Sequence, residues 1–184
     1  MAFSFHFKVI ESSKSRYLSA CDRLIGQLRS AEHRINKDSA ESLQQQLIGN
    51  ITSQHFAYAP YSDRYAEWKR EYGRGKGSTD FWVLFGDLLK AIKVSPVSWR
   101  GKAQYFVGIR PGIFDSGGKS WLGQGDRGPA KEILEYALLM EKGGQNGRQP
   151  ARPLFEPTQD EFAVSERRGR ILNQSLMRVA QSWK

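Results

Sequence analysis

One cysteine and three histidines in 184 residues leave little for metal or redox chemistry. Cys21 alone cannot make a disulfide framework or a cysteine-rich metal site, which points to a reducing compartment. His6, His33 and His55 stand far apart, none at a metalloprotease spacing, so each reads as an ordinary surface or half-buried histidine. No apolar run approaches the ~20 residues of a membrane span. The opening MAFSFHFKVIESS lacks a signal peptide's charged start and long apolar middle, so a cytoplasmic protein is expected. There is no G-x-S-x-G, and no carboxylate pair in a recognisable catalytic frame. An enzyme is not expected, and neither is a cofactor.

Acidic charge is also scarce. Twenty-eight Lys and Arg against nineteen Asp and Glu give +9, a balance that favours nucleic acid or acidic surfaces through counterion release. The basic residues are interleaved with acids and form no tail, so the charge fits DNA nearby without implying sequence readout.

The chain's length suits one domain, 1–184, with a flexible loop at about 110–128. Phe3, Phe5, Phe7 and Val9 alternate with Ser4, His6 and Lys8, which predicts a strand over 1–10. From Ser12 or Ser13 a helix is expected, with Tyr17, Cys21, Leu24, Ile25, Leu28 and Ala31 as one buried stripe. Asn36, Lys37, Asp38 and Ser39 should break it, with Asp38 or Ser39 capping a second helix through Leu43, Leu47, Ile48 and Ile51. Tyr61, Tyr65, Trp68 and Tyr72 share a face if 61–72 is helical, and Gly73, Gly75 and Gly77 follow in a basic loop. A short helix from Phe81 to Leu89 should run into a hairpin marked by Ala103, Tyr105 and Val107. Pro129 suits the first turn of a helix ending at Gly143-Gly144.

Two Gly-rich stretches invite a nucleotide reading and fail it. GIFDSGGKS, 112–120, has five residues between its first Gly and the Gly-Lys pair where a phosphate loop needs four. GQGDRG, 123–128, precedes a helix but lacks the preceding strand and a later acid for a ribose. The segment 58–77 could stack bases and hold phosphates, although helical spacing favours docking of its aromatics on the core or a neighbour.

The stretch RQPARPLFEPTQDEF, 148–162, reads as a rigid corner. Pro153 fixes its own backbone and extends Arg152. Thr158 and Glu161 match a capping box, with Pro157 and Phe162 as its staple. Phe162, Ser165, Gly169, Leu172, Leu176, Val179 and Trp183 then predict one last helix, whose small residues at 165 and 169 allow close approach. Leu154 and Phe155 should go to the core or an interface.

The order of these segments resembles the tail-completion, or virion morphogenesis, proteins of tailed bacteriophages. The likeness rests on APYSDRYAEWKREYG, LFGDLLKAI, a hairpin, YALLMEKGG, ARPLFEP and a last helix. The matching positions are Pro60, Tyr65, Lys69, Leu88, Tyr136, Ala137, Gly143, Arg152, Pro153 and Phe155. Phe85 stands where the family usually has Thr, and the loop at 110–128 is longer than usual.

The resemblance implies an α+β fold, a small antiparallel sheet packed by long N-terminal and C-terminal helices. It implies a virion protein of the phage neck, assembled in the host cytoplasm as a ring, commonly a hexamer, around the DNA path. Its partners would be its own copies, a head-closure or connector protein, and a tail terminator or tail tube protein. Double-stranded DNA would pass through the lumen without sequence readout. On this reading Arg152, Pro153 and Phe155 hold the corner, with Tyr65 and Trp68 at an interface. Arg70, Arg74, Lys76, Lys119 and Arg127 are candidates for DNA or neighbour contact. A tail terminator is an alternative within the family. Outside it stand a non-sequence-specific DNA-binding protein and, third, a nuclease or hydrolase.

Overall fold

A single helix, α1 (Lys8–Ser53), runs unbroken for 46 residues through the computed structural model. The structure describes residues 8–58, 60, 62–72, 87–99, 102–113, 132–143 and 150–182. Two sequence expectations fall here. Lys8, Val9 and Ile10 open the helix instead of closing a strand, and residues 1–7 lie outside the described set. The break expected at 36–39 is absent. Asn, Asp and Ser cost a helix interior only tenths of a kcal/mol each, and contacts on both sides of this point hold the helix straight through. His33 before it meets Tyr105, ring centroids 5.8 Å apart and edge to face. After it, Ala40 is buried, and Lys37 pairs with Glu41 at 3.8 Å across one turn.

The Gln44–Gln45–Gln46 run joins α1 to elements on different sides. Successive helix residues point about 100° apart, so three adjacent amides reach three directions. Gln44 donates to the Ile92 carbonyl at 2.7 Å. Gln45 accepts from Arg167, and Gln46 donates to Glu161 at 3.4 Å. The helix then ends in a Schellman turn. The His55 amide returns to the Asn50 carbonyl at 3.0 Å, and Gln54 takes the left-handed position usually held by Gly.

After α2 (Asp63–Tyr72), the expected short helix survives as α3 (Asp87–Ala91); residues 81–86 lie outside the described set. It leads into β1 (Lys93–Trp99), which pairs antiparallel with β2 (Lys102–Gly108) in the predicted hairpin. Pro96 sits opposite Tyr105. A missing amide is tolerated in a two-stranded sheet because each strand has a free edge. Tyr105 turns to α1 and Val107 to the core, while Val97 and Phe106 on the other face are exposed. With α1 laid across this hairpin, the chain is α+β.

Next come α4 (Ile133–Lys142), α5 (Phe155–Val164) and α6 (Glu166–Gln181). Gly143 stops α4 at φ 79, as its position predicts. The core gathers Leu47 and Ile51 of α1, Leu88, Ala91 and Ile92 around α3, Ile109, then Ile133, Ala137 and Met140 of α4, and Leu154. Each of the larger apolar side chains contributes about 1.5–3 kcal/mol by leaving water. The ends of the predicted 110–128 loop are tied together: the Gly112 amide donates to Glu132, and the Ile133 amide to the Ile113 carbonyl at 2.9 Å.

The expected single last helix is two. Ser165 adopts an extended backbone at ψ 146 and accepts the Arg168 amide at 3.3 Å, capping α6. It therefore does not serve as a small contact residue within one long helix. That contact belongs to Ser175 and Val179, which are buried on α6. No helix among the described residues is long and apolar enough to cross a membrane.

Candidate functional site

The corner at 150–155 is held by the end of α4 and by Tyr58, just past α1. The Arg152 amide donates to the Met140 carbonyl at 2.7 Å, tying the corner to the end of α4. Its side chain is only 2% exposed and donates to the Pro150 carbonyl at 3.3 Å. The Tyr58 hydroxyl donates to the Pro153 carbonyl. Leu154 enters the core and Phe155 packs against it. Arg152, Pro153 and Phe155 thus stand in a turn whose backbone is bonded at Arg152, Pro153, Leu154 and Phe155.

The capping box is not formed. Thr158 lies inside α5, 0% exposed, with its amide bonded to the Leu154 carbonyl and its hydroxyl accepting from Asn50 at 3.0 Å. Glu161 turns away to His55 at 3.1 Å. Pro157 sits in the first turn of α5, where a missing amide costs nothing, so it is not a staple residue preceding the cap. Glu141 of α4 caps the helix instead. Its carboxylate accepts the Leu154 amide at 2.8 Å, the Phe155 amide at 3.2 Å and the Glu156 amide at 3.4 Å. A carboxylate at a helix N-terminus gains both hydrogen bonds and the favourable end of the dipole.

Tyr65, Trp68 and Arg70 lie on α2, with Arg70 exposed; the side chains of Tyr65 and Trp68 lie outside the described set. Arg74, Lys76, Lys119 and Arg127 also fall outside the described residues.

Two surfaces stand out among the described residues, both involving α1. The first is the predicted apolar stripe, which is largely unburied. Ala31 is buried, but Leu28 is 44% exposed, Ile25 is exposed, and Tyr17 reaches 70%. Cys21 and Leu24 between them are half-buried. Contacts along α1 show why. Gln45 meets Arg167 at the start of α6, while Arg23 and Arg34 border Arg178 near its end. The helices run antiparallel, so α6 finishes beside the middle of α1. Among the described residues nothing covers Tyr17 and Leu18.

The second surface is a cleft of about 600 Å³ between α1 and α6, lined by Arg23, Arg34 and Arg178 with Gln27, Ser30 and Ser182. Arg23, Gln27, Ser30 and Arg34 follow the 4-3-4 spacing of one helix face, a signal present in the sequence and missed. Arg178 joins them only through the antiparallel packing. None of the three guanidiniums is in an ion pair among the described residues. The described residues hold no group of three or more His, Cys, Asp and Glu that could bind a metal ion. No family model, curated protein or solved structure matches the chain.

Proposed function

We propose that this chain is a structural virion protein of a tailed-bacteriophage neck, a tail-completion or head–tail joining component that forms a ring around the DNA channel. The uncovered stripe on α1 carries the reading on the structural side. Tyr17, Cys21, Leu24 and Leu28 repeat at 4-3-4 spacing, the interval that seats one helix against another. The stripe runs on into Ala31, which is buried. A second copy, presenting a different face, buries it; such heterologous contacts close into a ring when the rotation permits. The segment order that resembles the tail-completion proteins supplies the location. The role consists of contacts and uses no catalysis.

Light scattering on the purified chain tests the self-contact. Wild type should exceed monomer mass, and Tyr17→Glu/Leu28→Glu should return it to monomer with unchanged circular dichroism. Particles assembled without the protein test the location: filled heads and unattached tails are expected. Intact joined virions from such a preparation would overturn the reading.

A further inference from the structure

We infer that the arginine-lined cleft between α1 and α6 binds the phosphodiester backbone of duplex DNA without regard to sequence. The inference is carried by the cleft's chemistry alone and stands independently of the ring.

Three guanidiniums border the cleft, and among the described residues no acid lines it. Beyond Arg34 the acids on α1 are the exposed Asp38, one turn on, and Glu41, which is paired with Lys37 at 3.8 Å. The end of α6 adds about half a negative charge, far less than three full positive ones. Guanidinium forks match phosphate oxygens in pairs.

The arrangement is elongated. Arg23 and Arg34 are separated along α1 by about 16 Å at 1.5 Å per residue. Measured along a duplex axis, that distance covers four or five base pairs at about 3.4 Å each. A chain of regularly spaced phosphates fits this row better than a lone anion. Among the described residues no aromatic side chain lines the cleft to stack on an unpaired base. Contacts limited to phosphates position a duplex and read no sequence.

Fluorescence anisotropy with two labelled 24-base-pair duplexes of unrelated sequence tests this on the full chain. Wild type should bind both equally. Arg23→Gln/Arg34→Gln/Arg178→Gln should weaken binding at least tenfold and flatten the slope of log affinity against log salt by about 2.7, or 0.9 per lost phosphate contact. The charge-matched control Arg16→Gln/Arg29→Gln/Arg170→Gln removes three exposed arginines elsewhere and should change the slope by less than about 1. Circular dichroism checks folding; if the triple variant unfolds, Arg178→Gln alone should flatten the slope by about 0.9. No binding by wild type, or equal losses in the cleft variant and the control, overturns the assignment. So does displacement of duplex by polyglutamate as readily as by unlabelled duplex, which would make the occupant an acidic protein. Because solution mass is read separately, a failed ring and a failed cleft give different results.

Discussion

Glu141 caps a helix that begins fourteen residues after it: its Oε2 accepts the Leu154 amide at 2.8 Å while Oε1 and Oε2 share the Phe155 amide. The contact fixes the direction in which the chain leaves the corner and enters α5. It also explains why Leu154, without a capping side chain of its own, can start a helix.

Removing that carboxylate should be costly. Glu141→Ala is expected to lower the unfolding free energy by about 1–2 kcal/mol, the usual loss for a helix cap, and Glu141→Gln by roughly half as much because one acceptor oxygen remains. Urea denaturation followed at 222 nm reads both. A wild-type midpoint for Glu141→Ala would show that the cap carries no stability.

The two readings of residues 36–39 predict opposite signs. Asp38 is exposed in the interior of α1, so Asp38→Ala should stabilise the protein by about 0.5 kcal/mol through helix propensity. Had Asp38 begun a second helix, the same change would cost about 1 kcal/mol as a lost cap. Thermal melts of the two proteins distinguish these outcomes.

Asn50 and Thr158 join α1 to α5 at 3.0 Å. Thr158→Val keeps the shape and removes the acceptor, with an expected loss of about 1–2 kcal/mol. A double-mutant cycle with Asn50→Ala should return a coupling of at least about 0.5 kcal/mol. Strictly additive losses would mean that the two side chains do not act on each other.

Met140 is 0% exposed and Leu138, two residues earlier on α4, is 47% exposed. Met140→Ala should cost about 2–5 kcal/mol because it leaves a cavity among Leu47, Ile133 and Leu154. Leu138→Ala should stay within about 0.5 kcal/mol in the monomer. Equal losses at the two sites would contradict the direction α4 faces.

Local signals in the sequence held where their partners are also local. Gly143 ends α4 because that turn needs a positive φ, and the alternation at Tyr105 and Val107 places one face of the hairpin inward. The signals misled where a distant residue took over. Thr158 and Glu161 have the spacing of a capping box, yet Glu141 reaches the amides first and Asn50 claims the hydroxyl. Asn36 to Ser39 look like a stop, yet Tyr105 and Ile92 grip α1 on either side of them. The apolar stripe from Tyr17 to Leu28 was read as one the chain buries, and most of it is exposed among the described residues. Periodicity states that a face wants a partner and does not say which molecule supplies it. The cleft was half visible, in the spacing of Arg23 and Arg34, but the arrival of Arg178 depends on topology.

The uninterrupted course of α1 makes its free half a rigid spoke with a defined phase. Taking seven residues out before Ala31 would shorten its reach by about 10 Å and turn the far end only about 20°. Taking five out would shorten it less but rotate the far end by about 140°. The shorter deletion would thus do the greater damage to any assembly built on that spoke, because what the helix transmits outward is an angle before it is a length.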